Sequence, residues 1–317
     1  MNEELLTIGK QNPHVSPKLD IWGWPIAVYL FLGGLAAGIL FFASYFFLRG
    51  KKEEYESTIK WAPFVAPPAL ILGLLLLLID LHAISHAFRL FLTINFDSPM
   101  SWGAWTLLVI TPLSILWIFP YAVERFPKLI KQTAEIELII QLIEKNRKAI
   151  AWVLIGLSVI LGIYTGILLS AFNARPLWNT SILGVLFLVS GFSTGVVMIM
   201  LFSNRVNEQK TLRSIDVTLI ILELFLITHL MMGMLAGPEA QVQSAMMFLG
   251  GPYTWPFWSL VVGLGLVIPL LIEIQEMRGK HIPRYLAPIL ILVGGLLFRL
   301  IMVYAGQASS FANLIGG

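Results

Sequence analysis

Seven ionisable residues sit within strongly apolar stretches of this 317-residue sequence: Asp80, His82, His86, Arg89, Glu223, His229 and Arg299, with Glu273 at the end of another. Charge is costly in a hydrocarbon environment, so such groups mark proton relays, ligand sites or buried ion pairs. His82 and His86 are four residues apart and share a helix face. Tyr29, Tyr164 and Asn173 bring hydroxyl and amide groups to the same half of the apolar stretches as Asp80. Tyrosine hydroxyls, an imidazole and a carboxylate around an apolar cleft can bond two carbonyl oxygens and supply two protons, which is what a quinone head group requires. Each residue also has a plainer reading. Tyr29 could belong to an interfacial aromatic belt, and Asp80 could pair with Arg89 or a histidine to hold helices together. Glu223 and His229 could be structural, and Arg299 could snorkel or pair with Glu223 or Asp80.

The chain has no cysteine. That excludes disulfides, thiolate zinc sites, cysteine nucleophiles and an iron–sulfur cluster of its own. Of five histidines, His14 and His281 fall outside the apolar stretches. The remaining three leave only His82 or His86 with His229 as axial ligands, which argues against haem b. No metal site is expected, and nothing points to nucleic acid.

The elements that must position these groups follow from composition. The chain is 57% hydrophobic and 12% charged, with a mean hydropathy of +0.83. A soluble domain carries about a quarter charged residues, so a soluble globular protein is excluded, as is a disordered chain. A helical span needs about 20 apolar residues. Eight are predicted: 25–48, 63–92, 103–122, 149–171, 182–203, 215–236, 255–275 and 286–306. The second begins with Pro67-Pro68, where its lipid-crossing part is expected to start. Trp22 and Trp24 mark an interface before the first, and no cleavable signal peptide is read.

Four alternate connections carry Arg49, Lys51, Lys52, Lys60; Arg125, Lys128, Lys131, Lys145, Arg147, Lys148; Arg205, Lys210, Arg213; and Arg278, Lys280, Arg284. These are sixteen of the 21 Lys and Arg residues. The positive-inside rule makes these loops cytoplasmic and both termini periplasmic, in a multi-pass protein of the inner membrane. Within the long basic loop, 134–145 is apolar on one side at helical spacing and is expected to lie on the inner surface as an amphipathic helix.

The sequence also repeats itself. DLHAISH (80–86) pairs with ELFLITH (223–229), PMSWGAWTL (99–107) with PYTWPFWSL (252–260), and LFLGGLAAG (30–38) with FLVSGFSTG (187–195). The members of each pair are four spans apart and cross in the same direction. This predicts an all-α membrane protein of two four-helix bundles in parallel repeat. The units are a tail (1–24), a first unit with the quinone site (25–171), a second unit (172–306) and a tail (307–317).

YLFLGGLAAG (29–38), Asp80-Leu81, SPMSWGAW (98–105), ARPLWN (174–179) and RLIMVYAGQ (299–307) resemble the NrfD/PsrC family, the membrane subunits of polysulfide reductase-type complexes. The resemblance spans all eight helices. It implies a subunit that binds menaquinone or another quinone near the outer face. It further implies electron exchange with a four-cluster ferredoxin-like iron–sulfur subunit docked outside, and a molybdopterin or other catalytic subunit beyond. Tyr164 matches the tyrosine that binds the quinone head. Tyr29 falls where polysulfide reductase has a quinone-contacting histidine, and Ile26 where it has an asparagine. Tyrosine donates a hydrogen bond but is a poor proton acceptor near neutral pH, so His82 becomes the candidate proton source.

The expected quinone site is therefore Tyr29, Asp80, His82, Tyr164 and Asn173. The expected proton path is Asp80, Glu223, His229 and Arg299, and the expected docking face contains Ser98, Trp102, Arg175 and Trp178. Two other classes remain: a secondary transporter, and a membrane anchor without a working quinone site.

Overall fold

The computed structural model describes residues 22–80, 95, 98–128, 130 and 133–309. Among the described residues eight helical stretches are long and apolar enough to cross a membrane, matching the eight expected from the sequence: Trp24–Leu48, Ser57–Asp80, Pro99–Arg125, Ala134–Ser170, Ile182–Phe202, Val206–Leu235, Pro256–Met277 and Leu286–Ala308. No strand occurs among the described residues. The α-helices are α1 (Trp24–Leu48), α2 (Ala66–Asp80), α3 (Pro99–Arg125), α4 (Ala134–Ser170), α5 (Ile182–Phe202), α6 (Val206–Leu235), the short α7 (Glu239–Met246), α8 (Ile268–Met277) and α9 (Leu286–Ala308).

The most apolar stretch of α1 is 78% buried and that of α5 is 67% buried, against 33% for α6, so α1 and α5 form the interior. Helix α1 packs on α2, α4, α5 and α9, and α5 on α4, α6 and α9. Glycines allow the central contact. A Cβ on Gly195 would lie 2.6 Å from the backbone of Gly38, and one on Gly191 would lie 2.9 Å from Gly34. Without side chains at the crossing, the two backbones meet directly and gain dispersion contact that lipid cannot match. Outward-facing Ile71, Trp152, Phe225, Leu271 and Ile289 present the apolar surface that hydrocarbon requires.

Three elements differ from a regular eight-helix reading. The regular α-helix of the second span starts at Ala66, beside Pro67-Pro68, but helical structure begins earlier. A π turn (Ser57–Trp61) and a 3-10 turn (Ala62–Val65) precede α2. Pro63, Pro67 and Pro68 cannot donate the regular i to i−4 bonds, and the register shifts around them. The π turn is fastened from elsewhere. The buried Glu208 carboxylate accepts bonds from the Thr58 amide (2.8 Å), the Thr58 hydroxyl (2.7 Å) and the Ser203 hydroxyl (2.8 Å).

Segment 134–145 is not a separate surface helix. It is the first third of α4, which runs unbroken for 37 residues, about 55 Å, and so extends well past a hydrocarbon core. No glycine or proline occurs between 134 and 155 to interrupt it. Arg147 locks the junction: it is 1% exposed and stacks on Trp117 (4.7 Å) and Tyr121 (4.4 Å). The same guanidinium pairs with Glu144 and donates to the Trp117 carbonyl at 3.1 Å. The third departure is the π-helix Pro256–Val267 that opens the seventh span. It runs into Pro269, whose missing N–H leaves the Gly265 carbonyl without its i+4 donor.

Candidate functional site

Besides the Glu208 group, two groups of buried polar residues stand out among the described residues. The first lies between α1 and α4. Tyr29, on the second turn of α1, is 1% exposed and Tyr164, on α4, is 3% exposed. Their side chains face each other. The Tyr29 hydroxyl nevertheless makes no well-formed hydrogen bond among the described residues. Two glycines make room for the rings. A Cβ on Gly103 of α3 would sit 1.9 Å from Cζ of Tyr164, and one on Gly73 of α2 would sit 3.3 Å from Cδ2 of Tyr29. An unsatisfied buried donor costs about 1–3 kcal/mol, so an orphan hydroxyl here is what a ligand accepting a hydrogen bond would explain. Asp80, the last described residue of α2, is half-buried. Asn173 is exposed in the turn after α4. His82 lies outside the described residues. The structure thus brings Tyr29 and Tyr164 together and leaves Asn173 at the surface.

The second group lies among α5, α6, α8 and α9. Arg299 is fully buried on α9. Its guanidinium donates to the Ser190 hydroxyl, to the Gly295 carbonyl (3.1 Å) and to the Phe187 carbonyl (3.4 Å), and rests on the rings of Phe187 and Phe298. The Glu223 carboxyl meets the same Ser190 hydroxyl, so one serine joins the acid and the base. His229 is exposed and lies parallel to Phe225 at 6.0 Å, on the outward face of α6. Glu223 and Arg299 thus share a buried setting, while His229 does not join them.

Sequence reasoning missed Asp216, Ser190 and Ser193, and noted Glu273 only as a residue at a helix end. Asp216 is fully buried and accepts a 2.7 Å bond from Ser193. It faces Glu273, also fully buried. A signal was present: Arg213, Asp216, Ile220, Glu223 and Ile227 recur at three- and four-residue spacing along one face of α6. Acids on the stripe that packs inward are a stronger hint than acids scattered along a span.

The expected docking residues divide. Trp102 is 49% exposed, and Ser98 is partly exposed just before α3. Arg175 and Trp178 are buried. Arg175 donates to the Ser309 carbonyl at 3.0 Å, and Trp178 Nε1 to the Met302 carbonyl at 2.8 Å. Both fasten the loop after α4 to the end of α9. The Trp178 ring fills the space a side chain at Gly306 would take.

Eight apolar helices among the described residues, with buried polar clusters between them, define a multi-pass membrane protein with ionisable groups held inside its bundle. Residues 11–311 match the family described as "Polysulphide reductase, NrfD", and the chain belongs to that family. It is 33% identical over 306 residues to Protein NrfD of Escherichia coli (strain K12), covering 90% of this chain and 95% of that one. It is 32% identical over 304 residues to a component of the polysulfide reductase of Wolinella succinogenes, covering 90% and 94%. It is 24% identical to a component of the selenate reductase of Mesobacillus selenatarsenatis, covering 89% of this chain and 73% of the relative.

Proposed function

We propose that this chain is the quinone-reactive membrane subunit of a respiratory oxidoreductase complex. The observation that carries the reading is the buried Tyr29–Tyr164 pair with its orphan hydroxyl, in a chain of this family. Menaquinone or a related quinone, when bound, supplies two-electron, two-proton carrier chemistry. Tyr164 and Tyr29 act as hydrogen-bond donors to carbonyl oxygens in a site that their burial keeps dry. Asp80, half-buried on α2, and His82 are the groups proposed to exchange protons there, with Asn173 at its mouth. The sequence holds no cysteine for a cluster, so electrons must pass to or from another chain.

Two relatives are named as single components of larger reductases, one for polysulfide and one for selenate, which supports a catalytic partner for this chain as well. We assign an iron–sulfur subunit of the four-cluster ferredoxin type to the end that lacks basic loops, where Ser98 and Trp102 remain partly exposed and Arg175 and Trp178 hold the loop beneath. The charge asymmetry supports basic loops in the cytoplasm and both termini in the periplasm. The parallel repeat has support in the packing: α1 on α2 and α4 is echoed by α5 on α6 and α9, and α4 on α5 by α9 on α1. Glu223 and Arg299, joined through Ser190, form the middle of the proposed proton path, with Asp80 toward its outer end; His229, exposed on the outward face of α6, is left out of it.

Tyr164→Phe tests the site by removing one hydroxyl and no ring. In the assembled complex it should lower quinol oxidation and weaken quinone binding, while electron exchange between the other subunits and a soluble dye continues. Unchanged turnover and quinone affinity would remove Tyr164 from the site.

A further inference from the structure

The deepest carboxyl groups of the second cluster are not explained by quinone binding. Asp216 of α6 and Glu273 of α8 are both 0% exposed and face each other. Ser193 satisfies one Asp216 oxygen; the other Asp216 oxygen and both Glu273 oxygens have no hydrogen-bond donor among the described residues. Ionised carboxylates only accept, so two of them face to face cannot bond each other. Buried in apolar surroundings they would also repel with little screening. One proton removes both problems: it supplies the missing donor and one of the two charges.

The neighbouring groups give this pair two sides. One turn toward the basic loops, Arg213 of α6 pairs with Glu276 of α8 at 3.1 Å, with side chains 13% and 9% exposed. In the other direction, Glu223 lies seven residues, about 10 Å, further along the same face of α6. Beside Glu223 is a small, partly enclosed cavity of about 10 Å³ lined by Ser190, Ser193, Thr194 and Glu223, with Val261 and Gly294 on its apolar wall. That volume is near the minimum for one water, and the Glu223 carboxyl borders it. Ser193 touches both the pair and the cavity, and Ser190 touches both Glu223 and Arg299.

We propose that Asp216 and Glu273 together bind a single exchangeable proton, taken up from the basic-loop end past the Arg213–Glu276 ion pair and passed through Ser193 and the cavity to Glu223. The proton moves from solvent to the carboxyl pair and on to the Glu223 carboxylate, and no bond other than O–H bonds is made or broken. The pair is a storage site separate from Tyr29 and Tyr164. It deepens the proton-path part of the proposed function, but its occupancy does not depend on quinone chemistry.

The test uses the assembled complex and two measurements. Infrared spectra in light and heavy water should show a buried protonated-carboxyl band at neutral pH that disappears in both Asp216→Asn and Glu273→Gln. Glu208→Gln is the control: Glu208 is as buried but bonded to three donors, and its replacement should leave the band in place. A band unchanged in the two pair variants would show both acids ionised and overturn the proposal. In oriented vesicles driven by quinol, proton uptake from the basic-loop side should fall about a hundredfold in either pair variant. Ser193→Ala should slow uptake while keeping the band. Loss of the band with wild-type uptake would overturn the relay. Each pair variant tests the idea alone if the other fails to assemble. Absence of quinol oxidation in the wild-type complex would count against the quinone reading, while the infrared result would still decide on the pair.

Discussion

Gly103→Ala offers a way to move Tyr164 without altering it. The new Cβ would lie 1.9 Å from Cζ, 2.2 Å from the hydroxyl oxygen and 2.3 Å from Cε1 of Tyr164, where ordinary contact begins at 3.4 Å. The ring must therefore retreat by about 1.5 Å, the difference between the two distances. The ring is the far end of a side chain with two soft torsions, so the bundle should still fold, losing about 1–3 kcal/mol to overpacking. The hydroxyl, however, leaves its place opposite Tyr29. A misplacement of about 1 Å in a positioning group can cost about a hundredfold in rate, equivalent to about 2.7 kcal/mol of barrier. Quinol oxidation by the assembled complex is the assay, with Gly156→Ala on α4 as a control, since nothing stands within 4 Å of its Cβ. In the double variant Gly103→Ala/Tyr164→Phe the two losses should not add, because both remove the same hydroxyl from the same place. Wild-type turnover in Gly103→Ala would refute the assignment of Tyr164, and fully additive losses would show that Gly103 acts by another route.

The α1–α5 crossing should be equally intolerant. Gly195→Ala places a carbon 2.6 Å from Gly38 backbone, which cannot swing aside, and thermal unfolding in detergent should show a loss of about 1–3 kcal/mol, whereas Gly156→Ala should be neutral or gain up to about 1 kcal/mol. Trp178→Phe removes the bond to the Met302 carbonyl and should lower stability by about 0.5–1.5 kcal/mol while the catalytic partner stays bound, as a residue buried inside this protein requires. Glu56, outside the spans, is held below the ordinary glutamate range by its hydrogen bond from Lys60 (3.1 Å), with further help from Arg205 (2.6 Å). A depressed acid stabilises the fold above its unfolded pKa and loses that contribution as pH falls through its folded pKa. Glu56→Gln should therefore lower the melting temperature at neutral pH and match wild type in acid; the loss should stay under about 1 kcal/mol, because Glu56 is about a third exposed and Arg205 half exposed.

The eight spans, their alternating charged loops and the family were legible in the amino-acid order because a bilayer imposes a length and a composition on any segment that crosses it. Glu223 and Arg299 were legible for the same reason: a charge in a span stands out. The small-residue runs LFLGGLAAG and FLVSGFSTG were legible as a repeat, and the structure packs them against each other. Tertiary structure decided what hydropathy cannot encode. Arg147 reads as one more loop cation, yet Trp117 and Tyr121 from α3 enclose it and carry α4 through the basic loop as one helix. Arg175 and Trp178 read as surface residues beneath a partner, yet α9 supplies the carbonyls that bury them. Asp216 and Glu273 are 57 residues apart, on different helices. Only the packing of α6 against α8 sets them face to face, because burial and pairing belong to the space between helices and not to either helix alone.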